Sequence, residues 1–368
     1  MLGIGVTSGG TRTNYSLTRG EGTLEVSRNE TGASIADARG RESVSLVGEW
    51  IADVVASQTD DEMCVWIGAA GFSASTAREI AERLGPSMRM LGKKLEEEDK
   101  QCEVFICNDA VALLKSPPLL GAGVVAIVGT GSVVMGAHPS CTDGVVKRGG
   151  YEWLVSDEGS GVWMTLESIR LLLADIEARG PVDYHSALLD RLADHVGISE
   201  SELSDIPSSH VALAKADLVA RRMAESRMDA KRFFGRFVYP HIFDLASLEP
   251  GKPHDPIASE VLNRSVSHIV SSAGVVSDIL AAHTADEPNS REKLPLIVGG
   301  NIAANPLYDQ RLRAAVSSEC RSVSSVEAIG DPSDSLAALS YHYLASDHKG
   351  RRRLRKSIDP LHPVLKLL

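Results

Sequence analysis

The chain has 368 residues and a mass of 39.3 kDa, with 49 acidic against 38 basic side chains and a formal net charge of −11. Hydrophobic residues make up 43 % and charged residues 24 %, which is typical of a globular protein and excludes a disordered chain. The acidic balance argues against a general nucleic-acid binder, because such proteins carry a basic surface. At roughly 100–200 residues per domain, the length predicts two domains or one large one.

The cysteines and the first residues indicate the cellular compartment of the protein. Five cysteines occur without a CxxC pair and without a cysteine–histidine spacing that suits zinc. We therefore expect reduced thiols and a cytoplasmic protein. The first residues, MLGIGVTSGG, do not show the pattern of a signal peptide, and no uninterrupted apolar run approaches the roughly 18 residues of a membrane span. The sequence thus predicts no membrane partner.

Strands and helices alternate in the first third of the chain. Hydrophobic periodicity predicts strands at residues 2–6, 13–17, 23–26, 65–67 and 104–107. It predicts helices at residues 35–55, 76–84 and 110–114, the second of them capped by Ser75. A loop rich in proline and glycine at residues 115–123 then indicates a domain boundary.

The strand pattern restarts after this boundary, with predicted strands at residues 124–128, 133–137 and 144–148. Helical spacing follows at residues 164–176, 184–196, 211–226, 230–248 and 256–282. Strands at 294–298 and 322–326 and helices at 307–316 and 335–344 complete the chain. Two similar strand hairpins about 120 residues apart indicate a duplicated α/β half, since a solenoid repeat would be far shorter.

These patterns predict three parts. The first domain comprises residues 1–117 and the final helix near 331–346, and the second comprises residues 118–330 with a helical insertion. Residues 347–368 form a basic tail that contains HKGRRRLRKS. RNA or an anionic membrane could bind such a tail, but a solvated terminal segment is the interpretation we favour.

Three glycine turns each follow a short apolar strand, at Ser8-Gly9-Gly10-Thr11, Gly129-Thr130-Gly131-Ser132 and Gly299-Gly300-Asn301. Glycine allows close approach of the backbone and lets several N–H groups point at one phosphate. None of the turns matches the P-loop or the Rossmann pattern. One such turn alone is more typical of a tight hairpin, but three in a duplicated α/β chain favour nucleotide binding.

Two further parts of the sequence contain side chains suited to catalysis or to sugar binding. Asp109 follows a predicted strand, where ligands of α/β proteins bind, although it could also cap the next helix. The run GGYEWLVSDEGSG at residues 149–161 combines a double glycine, two aromatic rings and two acids at the start of a helix. The rings could stack on a sugar and the acids accept its hydroxyl hydrogens, whereas acids near a helix dipole are the simpler interpretation.

In this order the motifs resemble those of the BadF/BadG/BcrA/BcrD-type ATPase family, and within it the N-acetylglucosamine kinases, in the superfamily of actin and hexokinase. GTGS at residues 129–132 and SDEGSG at 156–161 carry most of the resemblance, which spans residues 2–344. SGGTRT at 8–13, GAAG at 68–71, NDA at 108–110, HDPIA at 254–258 and VGGN at 298–301 add to it. The resemblance implies an α/β fold of two ribonuclease H-like (actin/hexokinase-type) domains with a nucleotide cleft between them.

The resemblance also implies an activity and its residues. The expected reaction is ATP-dependent phosphorylation of an amino sugar with Mg²⁺, most simply of N-acetylglucosamine on its 6-hydroxyl, and relatives of this kind are often homodimers. Asp109 would be the general base. ATP would lie against Gly9, Gly10, Thr11, Gly129, Thr130, Gly131, Gly299 and Gly300. The sugar would face Ser132, Gly150, Tyr151 and Asp157.

The chain departs from the family pattern at several positions. Thr7 stands where the family has an acid that helps to hold the water shell of Mg²⁺. Glu152 replaces a glycine, Tyr151 a tryptophan, and the final helix lacks the usual small-residue entry. Thr7 leaves open a non-catalytic sugar or nucleotide sensor. A third alternative, an activator ATPase with an iron–sulfur cluster, would need a cysteine where Val128 stands.

Overall fold

The computed structural model describes residues 1–9, 13–20, 24–25, 30–31, 35, 41–141, 144–152, 154–225, 230–247, 249, 251, 253–284, 293–329, 331–357 and 361–368. Its strands are β1 (Leu2–Ser8), β2 (Thr13–Thr18), β3 (Leu24–Glu25), β4 (Glu30–Thr31), β5 (Glu62–Ala69), β6 (Gln101–Asn108), β7 (Gly123–Val128), β8 (Ser132–Ala137), β9 (Val146–Gly149), β10 (Leu294–Gly299), β11 (Val323–Ile329) and β12 (Leu365–Lys366).

Its helices are α1 (Arg41–Ala56), α2 (Ala77–Glu97), α3 (Asp109–Lys115), α4 (Gly161–Arg179), α5 (Ala187–His195), α6 (Glu200–Leu203), α7 (Val211–Glu225), α8 (Ala230–Phe237), α9 (Phe243–Ala246), α10 (Pro256–Thr284), α11 (Pro306–Glu319), α12 (Pro332–Ala345) and α13 (His348–Arg355). A 3₁₀ turn lies at Ser208–His210 and a π-helical turn at Val238–Ile242.

Two sheets with the same connectivity organise the chain. The first has the strand order β12-β6-β5-β1-β2-β3, with β4 also paired to β2, and the second has the order β11-β10-β7-β8-β9. In each, the first strand is antiparallel to the hairpin partner that follows it and parallel to the crossover strand on its other side. The duplicated α/β half that the sequence predicts is therefore present in the strand pairing.

Helix α12 packs directly on β1, at the centre of the first sheet. A Cβ atom on Gly5 would overlap the backbone of Ser333 and Ala337, so only glycine allows this approach. Ser340 joins helix and sheet, because its hydroxyl donates to Ile4 O (2.7 Å) and accepts from Trp66 N (3.1 Å). Small residues of α12 therefore lie along its contact with β1.

A shared core joins the two sheets. Trp66 and Phe105 from the first sheet, Met135 and Ile297 from the second, and Leu336 of α12 are buried in one cluster that also contains most of α3. Helices α3 and α12 therefore link the two halves at the edge from which the glycine turns emerge.

Several predicted boundaries are wrong. Helix α1 begins at Arg41; Ile35 lies in a turn and residues 36–40 are outside the described part. Helix α2 continues through Gly85 and Pro86 to Glu97, and its N-cap is Thr76 rather than Ser75. The helix predicted at 230–248 is divided by the π-helical turn, which contains Pro240.

The prediction of a solvated C-terminal tail is also wrong. Residues of this segment form α13, and β12 pairs with β6 at the edge of the first sheet. The side chain of Lys115 is 95 % buried and its Nζ donates to Leu354 O (2.9 Å) and Lys356 O (2.8 Å) at the end of α13. The basic composition concealed a segment that belongs to the fold.

Among the described residues one helix, α10, is long and apolar enough over Pro256–His283 to cross a membrane, judged by length and composition alone. Half of that stretch is buried inside the protein, against β7, β8, α4 and α11 among others. This is also the property of a core helix, and α10 has that position here.

Candidate functional site

The first glycine turn begins where β1 ends. The Ser8 hydroxyl is buried and accepts hydrogen bonds from Thr13 Oγ1 (2.9 Å) and Ile35 N (2.8 Å), so the strand ends of β1 and β2 are held together. Gly9 follows this anchor. Gly10 and Thr11, which the sequence assigns to the phosphates of ATP, lie outside the described residues.

Asp109 lies at the carboxyl end of β6 and is the first residue of α3. Asn108 is the N-cap, since its side chain accepts from Ala110 N at 3.0 Å. The cap role that the sequence allowed for Asp109 therefore belongs to its neighbour, although Asp109 Oδ1 also accepts from Ala110 N (3.0 Å). The carboxyl group is half-buried and oriented by this amide.

The second glycine turn is joined to the start of α4. Gly129 O accepts from Gly161 N (2.8 Å), and Thr130 O accepts from Val162 N (3.3 Å). The buried Ser132 hydroxyl donates to Glu158 O (2.8 Å), so it holds the loop before α4. These contacts bring the GTGS and SDEGSG motifs into one unit.

The third glycine turn packs against the second. A Cβ atom on Gly300, which has φ of +109°, would overlap Val128 O at the end of β7. Gly299 is close to Leu113 of α3 and to Pro332, which begins α12. The structure thus brings Gly129–Gly131, Gly299, Gly300 and Asp109 to the same edge of the two sheets.

The loop from Gly149 to Ser160 connects β9 to α4 and is held to the second glycine turn by the hydrogen bond from Ser132 to Glu158 O. Gly149, Gly150 and Glu152 have positive φ values of 71°, 69° and 79°, and Asp157 has 65°. Asp157 is 97 % buried, whereas Tyr151 is 60 % exposed. The acids precede α4 instead of occupying its first turn, since the helix begins at Gly161 with Ser160 as cap. Trp153 lies outside the described residues.

Lys147 is a residue of this site that the sequence did not indicate. Its Nζ donates to Gly150 O (3.0 Å) and lies 4.2 Å from the centre of the Tyr151 ring. Burial lowers the pKa of Lys147, while the nearby carboxylates of Asp157 and Asp109 raise it. Both acids are therefore within electrostatic reach of one ammonium group. A lysine in a short polar strand gives no signal in a single sequence.

The strand partner of Thr7 holds an acid. Asn14 is the cross-strand partner of Thr7, and its side-chain amide donates to Asp331 Oδ2 at 3.2 Å. Asp331 is the N-cap of α12 and accepts from Ser333 N through its other oxygen (2.9 Å). Opposed side chains of an antiparallel pair lie about 5 Å apart, so Asn14 links this carboxylate to the strand position opposite Thr7.

One relative by sequence and two solved structures are similar to this chain. No family model matches the chain. The N-acetylmuramic acid/N-acetylglucosamine kinase of Clostridium acetobutylicum is 25 % identical over 172 residues, which cover 43 % of this chain. The matched region spans about half the length of that relative (52 %).

Two solved structures described as candidate N-acetylglucosamine kinases are similar over nearly the whole chain. The protein from Porphyromonas gingivalis has a TM-score of 0.58 and that from Chromobacterium violaceum 0.51. Both are 16 % identical, and each comparison covers 92 % of this chain and 98 % of the other. The predicted fold class is confirmed. The motifs' resemblance to N-acetylglucosamine kinases is confirmed too, because the relative from Clostridium acetobutylicum carries that description.

Proposed function

We propose that the protein is an ATP-dependent kinase of an amino sugar, with N-acetylglucosamine as the substrate and its 6-hydroxyl as the acceptor. One observation carries the proposal. The second and third glycine turns pack against each other, since a Cβ atom on Gly300 would overlap Val128 O, and Gly299 lies close to Leu113 of α3, the helix that begins with Asp109. The kinases to which the chain is similar support the choice of reaction and of substrate class.

Asp109 acts as the general base in this proposal. A sugar hydroxyl is a poor nucleophile, and a carboxylate within hydrogen-bond reach orients it and accepts its proton as the new bond forms. The hydroxyl oxygen bonds to the γ-phosphorus of ATP while the bond to the bridging oxygen breaks, and ADP leaves. The proton goes to Asp109, whose Oδ1 is held in position by Ala110 N (3.0 Å).

The remaining predicted residues have supporting roles. Gly9, Gly10, Thr11 and the turn Gly129–Gly131 would hold the phosphates, and Gly299 and Gly300 would lie against the adenosine. Gly150, Tyr151 and Asp157 would face the sugar. Ser132 would act by fixing the loop, since its hydroxyl already donates to Glu158 O.

Mg²⁺ is the expected companion of ATP, and the residues at the end of β1 fit it. Mg²⁺ binds through one or two carboxylates together with phosphate oxygens and water. The hydroxyl of Thr7 and the carboxylate of Asp331, which is hydrogen-bonded to the strand partner Asn14, would supply oxygen donors. The bound ion would neutralise charge on the transferring phosphoryl group.

Thr7 favours a second candidate, a sensor that binds sugar or nucleotide without turnover. The activator ATPase with an iron–sulfur cluster has no such support, since the buried Val128 occupies the position where it needs a cysteine. The cytoplasmic location stays part of the proposal, and the five cysteines are free.

The test is release of ADP in a coupled assay with N-acetylglucosamine, glucosamine and N-acetylmuramic acid, together with ATP binding by calorimetry. We expect sugar-dependent turnover in the natural protein. Asp109→Asn should lower kcat by a factor of about 10²–10⁴ and leave ATP binding intact. Near-normal turnover in that variant would show that Asp109 is not the base. Binding of sugar and ATP by the natural protein without ADP release would establish the sensor.

A further inference from the structure

Lys115 is a buried cation at the end of α3. Its Nζ donates to two carbonyl oxygens at the end of α13, Leu354 O (2.9 Å) and Lys356 O (2.8 Å). An ammonium group has three N–H donors, and these carbonyls use two of them. Burial lowers the pKa of Lys115 to about 8; Arg353 adds to this shift, the Cys107 thiol opposes it, and no carboxylate of the described residues takes part. The charge is therefore held by carbonyl groups and not by an acid in the described part of the chain.

A cavity of about 260 Å³ lies beside this lysine. It is bounded by the end of α3, the loop at residues 120–121, the segment after β8 and the end of α13. Gly121 has φ of +95°, and a Cβ atom on it would meet no other atom within 4 Å, so this loop leaves the space open. A water molecule takes up about 30 Å³, and pockets for drug-sized molecules begin near about 300 Å³. The cavity thus suits a small ligand.

The charged side chains that line the cavity are all basic within the described residues. They are Lys115, Arg353 and Lys356, and the titratable His138 lines it with them. Two acids close to it in sequence, Asp143 and Asp359, lie outside the described residues. Like charges collected around a concave surface raise the local potential, so an anion in the cavity is attracted by all of them.

Ion pairing along α13 separates its cations. Arg351 and Arg355 form ion pairs with acids of β5 and β6, at 3.5 Å and 4.0 Å. Arg352, Arg353 and Lys356 are exposed and form no ion pair with any described residue. Of these three, Arg353 and Lys356 line the cavity and Arg352 does not. Arg352 is therefore a control of the same charge, on the same helix, outside the cavity.

The cavity also has a neutral hydrogen-bond donor. Ser357 lines it, and its Oγ accepts from Val364 N (2.9 Å), which leaves the hydroxyl hydrogen for a ligand. Guanidinium, ammonium and hydroxyl donors together require a ligand with several acceptor oxygens and a negative charge. A phosphate monoester has three such oxygens and a charge of about −1.5 to −2 at pH 7, whereas a carboxylate has two oxygens and a single charge. Phosphate fits the donors better.

We propose that this cavity binds phosphate, either as the free ion or as the phosphate group of a small metabolite. Arg353 and Lys356 bind it from the surface and Lys115 from the buried side, so the ligand joins α13 to α3. The site lies at the other end of α3 from Asp109, about 9 Å away along the helix axis. It is thus separate from the glycine turns and does not depend on the proposed kinase activity.

The experiment is calorimetric titration of the full chain, in a buffer without phosphate, with inorganic phosphate and with glycerol 3-phosphate. We expect a Kd of about 1 mM or lower for at least one probe, and a higher unfolding temperature at saturation. Arg353→Gln and Lys356→Gln should each weaken binding about fivefold or more. Arg352→Gln should change it less than about twofold. Tighter binding of glycerol 3-phosphate would identify an ester as the ligand, and tighter binding of inorganic phosphate the free ion.

Four results would overturn the proposal. The first is that the natural protein binds neither probe. The second is unchanged binding in Arg353→Gln and Lys356→Gln, because the phosphate then lies elsewhere, such as at the glycine turns. The third is an equal loss in Arg352→Gln, which would be an effect of general charge. The fourth is binding of a short RNA or of anionic vesicles without binding of either small probe. Lys115→Met should abolish binding; should it fail to fold in a thermal unfolding check, the two exposed variants decide.

Discussion

Glu152 has a backbone conformation that does not suit its side chain. Its φ is +79°, in the left-handed region that favours glycine, and the resemblance places a glycine at this position. Its carbonyl accepts from Val155 N (3.1 Å) and Ser156 N (2.8 Å), so backbone bonds fix the turn.

We therefore expect Glu152→Gly to raise the free energy of unfolding by about 1 kcal/mol, measured by urea denaturation, because the strain of the left-handed backbone is removed. Glu158→Gly is the matched control in the same loop. Glu158 is not among the residues with positive φ, so the same substitution there should lower stability through backbone entropy. A loss of stability in both variants would contradict this account of Glu152.

At the scale of the elements, the second and third glycine turns differ in the reason why glycine is needed there. Gly300 allows β10 to turn beside Val128 O, with φ of +109°. Gly129 has open space where its Cβ would lie, and its N–H donates to Gly131 O (2.9 Å). Gly300 is therefore required by packing inside the fold, whereas the turn at Gly129 leaves room for a ligand.

This difference predicts opposite results for two alanine substitutions. Gly300→Ala should lower the free energy of unfolding by about 2 kcal/mol or more, since its Cβ overlaps backbone that cannot move away. Gly129→Ala should keep the stability within about 0.5 kcal/mol but raise KM for ATP, because the methyl group enters the phosphate side of the turn. Thermal unfolding and nucleotide kinetics measure both. Equal destabilisation by the two substitutions would show that Gly129 has a packing role.

For the whole molecule, the C-terminal segment completes the first sheet. Leu367 N donates to Val104 O (2.8 Å) and Leu368 O accepts from Val104 N (3.2 Å), so β6 is not an open edge. Lys366 forms an ion pair with Glu103 at 2.7 Å. Leu365, Leu367 and Leu368 pack against the core of the first half.

Deletion of residues 361–368 should lower the free energy of unfolding by about 2–4 kcal/mol, because apolar side chains and strand hydrogen bonds are lost together. The exposed ion pair contributes little by itself, so Lys366→Gln should change stability by less than about 1 kcal/mol. Urea denaturation measures both. If the truncated protein were as stable as the full chain, the C-terminal segment would be a solvated tail, as the composition first indicated.

The homodimer and the domain limits at residues 117 and 330 stay predictions. Light scattering tests the oligomeric state, and limited proteolysis tests the domain limits.

The sequence alone determined the alternation of strands and helices, the duplication of the α/β half and the position of Asp109 at a strand end. These depend on local periodicity and on glycine, which are properties of neighbouring residues. Only the tertiary structure decided that Asn108 rather than Asp109 caps α3, that Asp331 is hydrogen-bonded to Asn14, the strand partner of Thr7, and that Lys147 bonds Gly150 O. Such contacts join residues far apart in the chain, and no local pattern contains them. The net charge of −11 argued against a general nucleic-acid binder, but the place of each charge depended on how the two sheets meet.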